Sequence, residues 1–233
     1  MPMKPTSGNM YPWVTHTHAH LGGECSHRCC YCYVDNPRFG RAPRYQGGLR
    51  IIPGELKIKY GSGKTIFIEH MNDLFAEAVP MELIDVILSH CREWPDNTYV
   101  FQTKNPARMA AIPLHWWPYN LIIGTTIETN RPFTSAISNA PSIEERAYAM
   151  KMLAGRKFIT VEPILEFDVT ELTTMIVGAK PEWVNIGADS KNHGLPEPSY
   201  QKVEALIRAL GSGGIEVREK RNLERLKYCQ INT

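Results

Sequence analysis

Apolar residues in this chain fall into short compact runs separated by longer stretches of helical spacing, and that alternation sets the expected fold. Trp13-Val-Thr-His16-Thr-His18-Ala-His20 reads as a first strand leading into a cysteine-rich loop. Residues 64–69, 98–103, 121–127, 157–161 and 182–186 are five further apolar runs of strand length, and 215–218 is a short last one. Between them, residues 80–91 carry apolar side chains at helical spacing behind a proline, a favoured helix opening. Lys104-Asn105-Pro106 opens a short helix, and Ser142-Ile-Glu-Glu145 has the form of a capping box. Residues 199–210 place Val203, Leu206, Ile207 and Leu210 on one helix face, and the glycines of 211–214 stop it. The stretch 36–63 is rich in Pro, Gly and Arg and has no helical period, apart from a short helix expected near 53–60.

Strands alternating with helices predict an α/β fold with a parallel sheet and right-handed crossovers. Six or seven strands predict a partial (β/α)6-type barrel of the TIM kind, in a single domain whose core spans about residues 13–221. In such a sheet functional groups gather at the carboxyl ends of the strands. There the sequence places the cysteine loop, Asn72, Asp73, Lys104, Glu128, Glu162 and Asp189. A helix cap or a surface salt bridge is the structural alternative for each carboxylate.

Composition narrows the class. The chain has 233 residues, 43% hydrophobic and 21% charged, enough to bury a sizeable core. A formal charge of +2 leaves a nucleic-acid substrate open but supplies no broad electrostatic footprint for one. No apolar run is long enough to span a bilayer, and the opening residues lack the apolar core of a signal peptide. Of six cysteines, four crowd into residues 25–32, which is not a secreted disulfide framework. Cys91 and Cys229 stand alone as reduced thiols. A reducing, cytoplasmic setting is expected.

The chemistry concentrates in Cys25-Ser-His-Arg-Cys29-Cys30-Tyr31-Cys32, where three thiols are spaced C-x3-C-x2-C. Thiolates are soft ligands that select iron–sulfur clusters, zinc or copper(I). A four-iron cluster normally takes four cysteines, so a loop offering three leaves one iron open for chemistry. A zinc knot of the same thiols with His27 is the structural alternative, but structural zinc usually pairs two ligand hairpins and no second C-x2-C follows. Disulfides between such close neighbours are strained. Cys30 falls outside the spacing and is read as a bystander.

These residues resemble the hallmark of the radical S-adenosylmethionine (SAM) superfamily, C-x3-C-x-aromatic-C. The resemblance implies that Cys25, Cys29 and Cys32 hold a [4Fe-4S] cluster whose fourth iron is chelated by SAM, with Tyr31 near the adenine. Residues 66–75, 101–109, 123–128 and 159–165 look like motifs of a small, often phage-encoded branch, extending the resemblance over about residues 13–221. It implies that Asn72 and Asp73 hold the SAM amino group and that Thr126 and Glu128 hold the ribose. A plain Gly-Gly-Glu run after the second strand is missing. Asp189 joins the cofactor-binding set, and Glu162 and Lys104 are the candidate catalytic groups. The implied reaction is reductive cleavage of SAM to methionine and a 5′-deoxyadenosyl radical that abstracts hydrogen. An external electron donor, a flavodoxin or ferredoxin, is implied with it.

Three other readings compete. His16, His18 and His20 alternate, so on a strand they share one face, and an H-x-H ending a first barrel strand also resembles metal-dependent amidohydrolases. That class requires histidines ending strands five and six, where this chain has Val161-Glu162-Pro163 and Gly187-Ala188-Asp189. A non-enzymatic zinc or cluster module explains the thiols but not the polar strand ends. For substrate, Arg38, Arg41, Arg44, Arg50 and Arg131, with Trp116 and Trp117 as stacking platforms, favour a modified nucleotide or DNA base. A peptide or partner protein is the alternative.

Overall fold

The structure, a computed structural model, describes residues 3, 5–6, 10–35, 43–132, 137–191 and 193–228. Its strands are β1 (His16–His18), β2 (Leu21–Gly22), β3 (Arg50–Ile51), β4 (Thr65–Ile68), β5 (Thr98–Thr103), β6 (Leu121–Thr126), β7 (Arg156–Val161), β8 (Trp183–Ile186) and β9 (Glu216–Glu219). The helices are α1 (Met81–Arg92), α2 (Pro106–Met109), α3 (Ile143–Met152), α4 (Val169–Ala179), α5 (Tyr200–Ser212) and α6 (Glu224–Tyr228). Seven strands form a parallel sheet in the order β1-β4-β5-β6-β7-β8-β9, and β2 pairs with β3 in a separate antiparallel ribbon. This is the parallel α/β class that the alternating pattern predicts.

The chain divides into two compact units, residues 1–27 with 32–123 and residues 28–31 with 124–233. In the first, β1 pairs with β4 through His16↔Ile66 and His18↔Ile68, and β4 pairs with β5 through Thr65↔Thr98. Ile66, Phe67 and Ile68 are all buried, as expected where a parallel strand is covered on both faces. Helix α1 starts behind Pro80 and buries Ile84, Ile87, Leu88 and Cys91.

In the second unit, β7 pairs with β8 through Phe158↔Trp183, and β8 with β9 through Trp183↔Glu216. Helix α3 opens on the capping box its sequence announces. The Ser142 hydroxyl accepts from the Glu145 N–H at 3.2 Å, and the Glu145 carboxylate accepts from the Ser142 N–H at 2.8 Å. At α5 the Ser199 hydroxyl accepts from the Lys202 N–H at 3.3 Å, a one-way cap.

Two elements depart from expectation. The first strand is only three residues long, because the chain turns away after His18 and the His20 N–H donates to the Glu69 side chain at 2.5 Å. His18 and His20 still lie together, with ring centroids 4.3 Å apart, while His16 bonds its neighbour Thr15. Residues 53–60 hold only a single 3-10 turn, Glu55–Lys57. Among the described residues, no helix is long and apolar enough to cross a membrane.

Candidate functional site

The cysteine loop follows β2 and is shaped by two unusual backbone positions. Gly23 has φ +96°, and a Cβ there would lie 2.4 Å from the Gly48 carbonyl oxygen, so only glycine fits. Arg28, between Cys25 and Cys29, adopts φ 47°, a conformation uncommon for a residue with a side chain. Cys25, Cys29 and Cys32 are half-buried and Cys30 is exposed; none of these forms a disulfide. Two non-thiol side chains of the loop, His27 and Tyr31, are turned onto strand-end carboxylates, in two separate sets.

In the first unit, His27 Nε2 lies 2.9 Å from Asp73 Oδ2. That oxygen also accepts from the Lys104 N–H at 2.8 Å, and Oδ1 accepts from the Thr103 hydroxyl at 2.6 Å and the Phe75 N–H at 3.0 Å. Burial alone would raise the Asp73 pKa, but the His27 contact and the other donors outweigh it and hold the carboxyl below its ordinary value. Asn72 Nδ2 donates to the Gly23 carbonyl at 3.1 Å, so the segment after β4, with Asp73 braced by Thr103 and Lys104, holds the chain on both sides of Cys25. Of the His27 ring, Nε2 is engaged by Asp73, so a zinc knot would have to use Nδ1.

In the second unit, the Tyr31 hydroxyl donates to Glu128 Oε1, and Arg146 Nη1 donates to Glu128 Oε2 at 2.8 Å. Glu128 and Arg146 are wholly buried. Arg146 also donates to the carbonyls of Thr126 at 3.1 Å and Pro141 at 2.8 Å, which leaves its buried Nη2 without a partner. Burial, then the Glu128 charge, pushes the Tyr31 phenol well above its ordinary pKa. The Cys30 thiol is raised by burial first, then by Cys29, with Asp189 and Glu128 contributing. Both carboxylates therefore act on the loop.

Glu162, directly after β7, is held by Lys220 Nζ at 2.6 Å and Asn222 Nδ2 at 2.7 Å. A Cβ on Gly187 would lie 2.8 Å from both Glu162 Oε1 and Asn222 Oδ1, so the missing side chain makes room for this pair. Asp189 faces His193 Nδ1 at 2.6 Å and accepts from the N–H groups of Lys191 and His193. Those contacts outweigh burial and lower its pKa. The strand-end residues thus form two groups: Asn72, Asp73 and Lys104 in the first unit, and Thr126, Glu128, Glu162 and Asp189 in the second.

The basic and aromatic side chains singled out for nucleic acid are largely engaged within the chain. Arg44 pairs with Glu55 at 2.5 Å, and Arg50 donates to the carbonyls of Gln46 and Gly48 at 3.0 Å. Arg131 pairs with Asp168 at 2.6 Å. Trp117 stacks on Phe75 with ring centroids 5.5 Å apart, so it packs the loop onto its own unit. Arg38, Arg41 and Cys229 lie outside the described residues.

Sequence reasoning missed Arg146, Lys220 and Asn222. Arg146 had a readable signal: it falls three residues after Ile143 and four before Met150, on the buried stripe of α3. A charge in such a stripe needs a partner. Lys220 and Asn222 carry no comparable pattern.

The parallel α/β fold of this chain is shared by solved structures that include a radical SAM methyltransferase. A cysteine-to-serine mutant of spore photoproduct lyase matches with a TM-score of 0.64 at 11% identity over 91% of this chain and 78% of that one. A double mutant of that lyase, with bound AdoMet and dinucleoside spore photoproduct, matches with a TM-score of 0.55 at 12% identity, covering 88% and 63%. A radical SAM methyltransferase from Sphaerobacter thermophilus gives 0.56 at 15% identity, covering 92% and 69%. No curated protein matches. Residues 12–199 match the family described as Protein of unknown function (DUF5131), and the chain belongs to that family.

Proposed function

We propose that this chain is a radical SAM enzyme whose Cys25, Cys29 and Cys32 hold a [4Fe-4S] cluster. The observation that carries the reading is the loop itself: Cys25, Cys29 and Cys32 are half-buried thiols in no disulfide, on a segment whose flanks His27 and Tyr31 are held by Asp73 and Glu128. Thiolate donors at this spacing suit iron–sulfur ligation. When bound, the cluster would supply the electron that splits SAM into methionine and a 5′-deoxyadenosyl radical, with a flavodoxin or ferredoxin as external donor.

The protein's own contribution is positioning. Asp73 and Glu128 fix the two flanks of the loop, and Arg146 holds Glu128 in place. By resemblance, Asn72 and Asp73 serve the SAM amino group, Thr126 and Glu128 its ribose, and Tyr31 its adenine; Asp189 completes the set. Glu162, oriented by Lys220 and Asn222, and Lys104 are assigned to the substrate side. A modified nucleotide or DNA base is the proposed substrate class, supported by the structural neighbour that binds a dinucleoside photoproduct. We further propose a single functional domain acting in the cytoplasm.

Anaerobic incubation with SAM and a reductant tests the class. Formation of 5′-deoxyadenosine is expected; S-adenosylhomocysteine in its place means methyl transfer, and zinc in a thiolate shell with no cluster refutes the assignment. Glu128→Ala and Asp73→Ala should each weaken SAM binding about tenfold or more, since hydrogen bonds to charged groups contribute roughly 1.5–3 kcal/mol. Glu204→Ala is the control. Oligonucleotide binding across salt concentrations tests the substrate, because phosphate contacts give a steep slope; a flat slope without binding removes nucleic acid.

A further inference from the structure

Close to β1, and unused by the reaction proposed above, three histidines and a tyrosine form a buried cluster. His18 is 7% exposed, His20 0%, His90 4% and Tyr60 1%. One ring nitrogen from each histidine lies within 4.8 Å of the others. Burial, then the neighbouring ring, lowers the pKa of His18 to about 4 and of His20 to about 3, and burial lowers that of His90. All three imidazoles are therefore neutral at pH 7, each with one N–H and one lone pair.

The outward partners decide where those protons sit. His90 Nε2 faces the Ile58 carbonyl at 3.0 Å, and a carbonyl only accepts. His18 Nε2 faces Glu55 at 2.9 Å, a carboxylate kept ionised by Arg44. His20 Nδ1 faces Glu69 Oε1 at 2.8 Å, and that carboxylate already accepts the N–H groups of His20 and Leu21. Burial raises the Glu69 pKa to about 7; above that pH, with Glu69 ionised, every ring proton points outward and every lone pair points inward. His20 Nε2 then meets His90 Nδ1 at 2.9 Å, and Tyr60 Oη lies 2.6 Å from His18 Nδ1 and 2.9 Å from His20 Nε2. A single hydroxyl proton cannot satisfy three converging lone pairs. A cation can.

We propose that His18 Nδ1, His20 Nε2 and His90 Nδ1 bind a divalent first-row transition ion of the zinc type, with the Tyr60 oxygen as fourth ligand. Imidazole suits such ions, and an outward acceptor on each ring is the usual support for a metal-bound histidine. Zinc–nitrogen bonds of about 2.0–2.1 Å place tetrahedral ligand atoms roughly 3.3 Å apart, so the 2.9 Å pair need open only by a few tenths of an ångström. Four protein ligands close the site, which marks it as structural. The ion would tie β1, the chain running toward Cys25, residue 60 and α1 together. This site is independent of the cluster assignment.

The rival arrangement has no metal: a protonated Glu69 donates to His20 Nδ1, and His20 Nε2–H donates to His90. The full chain, freed of metal with a chelator and then equilibrated with zinc alone, separates the two. Beyond any zinc taken by the thiols of residues 25–32, close to one zinc per chain is expected, with nitrogen and oxygen neighbours in its X-ray absorption spectrum. Zinc at about a hundredfold over its Kd should raise the melting temperature by about 5–10 °C. His20→Gln and His90→Gln should lose that zinc, and His16→Ala should keep it. Zinc seen only with sulfur neighbours, or retained with nitrogen neighbours in both Gln variants, overturns the proposal. Long-range ¹⁵N NMR of the unmutated, metal-free chain above pH 8 decides without any variant: His20 protonated at Nδ1 is expected, and protonation at Nε2 overturns it.

Discussion

His20 and Cys25 are five residues apart in the chain, yet the groups of side chains they belong to differ in each property that selects a metal. The cysteine loop offers soft thiols, half-buried or exposed, on a segment held by contacts of His27 and Tyr31. The histidine cluster offers neutral imidazoles, almost wholly buried, each backed by an oxygen acceptor. Softness and access suit a cluster that must meet a cofactor and an electron donor. Borderline donors in a closed pocket suit an ion that only holds the chain in place. Burial, as much as ligand type, separates a reactive site from a structural one.

The sharpest way to break that contrast is to remove one set and watch the other. Cys25→Ala, Cys29→Ala and Cys32→Ala should each abolish the visible absorption of anaerobically reconstituted protein, while Cys30→Ala should retain it. Zinc in the nitrogen shell should survive all four changes. If it disappears with the thiols, the histidine cluster is not a separate site.

The next largest effect concerns the anchor of the loop. Glu128→Gln leaves the Arg146 guanidinium buried without its counter-charge, and breaking a buried pair in this way costs about 3–5 kcal/mol. Tyr31→Phe removes only the hydroxyl and should cost about 1.5–3 kcal/mol, the range for a hydrogen bond to a charged group. Urea denaturation of both variants checks the order. Equal losses would mean that Arg146 finds another partner when Glu128 is neutral.

How much of this was legible varied with the range of the signal. Strand β5 and the capping box of α3 are readable to the residue, because each is written in adjacent positions. Helix α4 has no legible local signal: six of its eleven residues are β-branched, which disfavours helix, and tertiary packing of Leu172, Ile176 and Ala179 prevails. The alternating histidines were visible, but His90 and Tyr60 stand 70 and 40 positions from His20, and nothing local links them. The strand-end carboxylates were found as positions. Their partners, His27, Thr103, Arg146 and Lys220, emerge only once the strands are paired.

The smallest effect separates the two regions by pH. On unfolding of the metal-free protein, the lowered rings His18, His20 and His90 take up protons below 6.5, while Glu69, raised by burial to about 7, releases one. Uptake exceeds release, so stability should fall as pH drops from 6.5 toward about 4, by about 1.4 kcal/mol per pH unit for each net proton. Asp73 acts in a different window. Its folded pKa lies below the ordinary 3.8, so the stability it contributes is present above that value and is lost as pH falls through the folded one. Asp73→Asn should therefore flatten the stability curve below pH 3.8 and leave its slope between 6.5 and 4 unchanged. Denaturation of parent and variant at a series of pH values checks this. Superimposed acid limbs would show that Asp73 holds His27 no more tightly as a carboxylate than as an acid, and the first anchor of the loop would then rest on Asn72 and Gly23 alone.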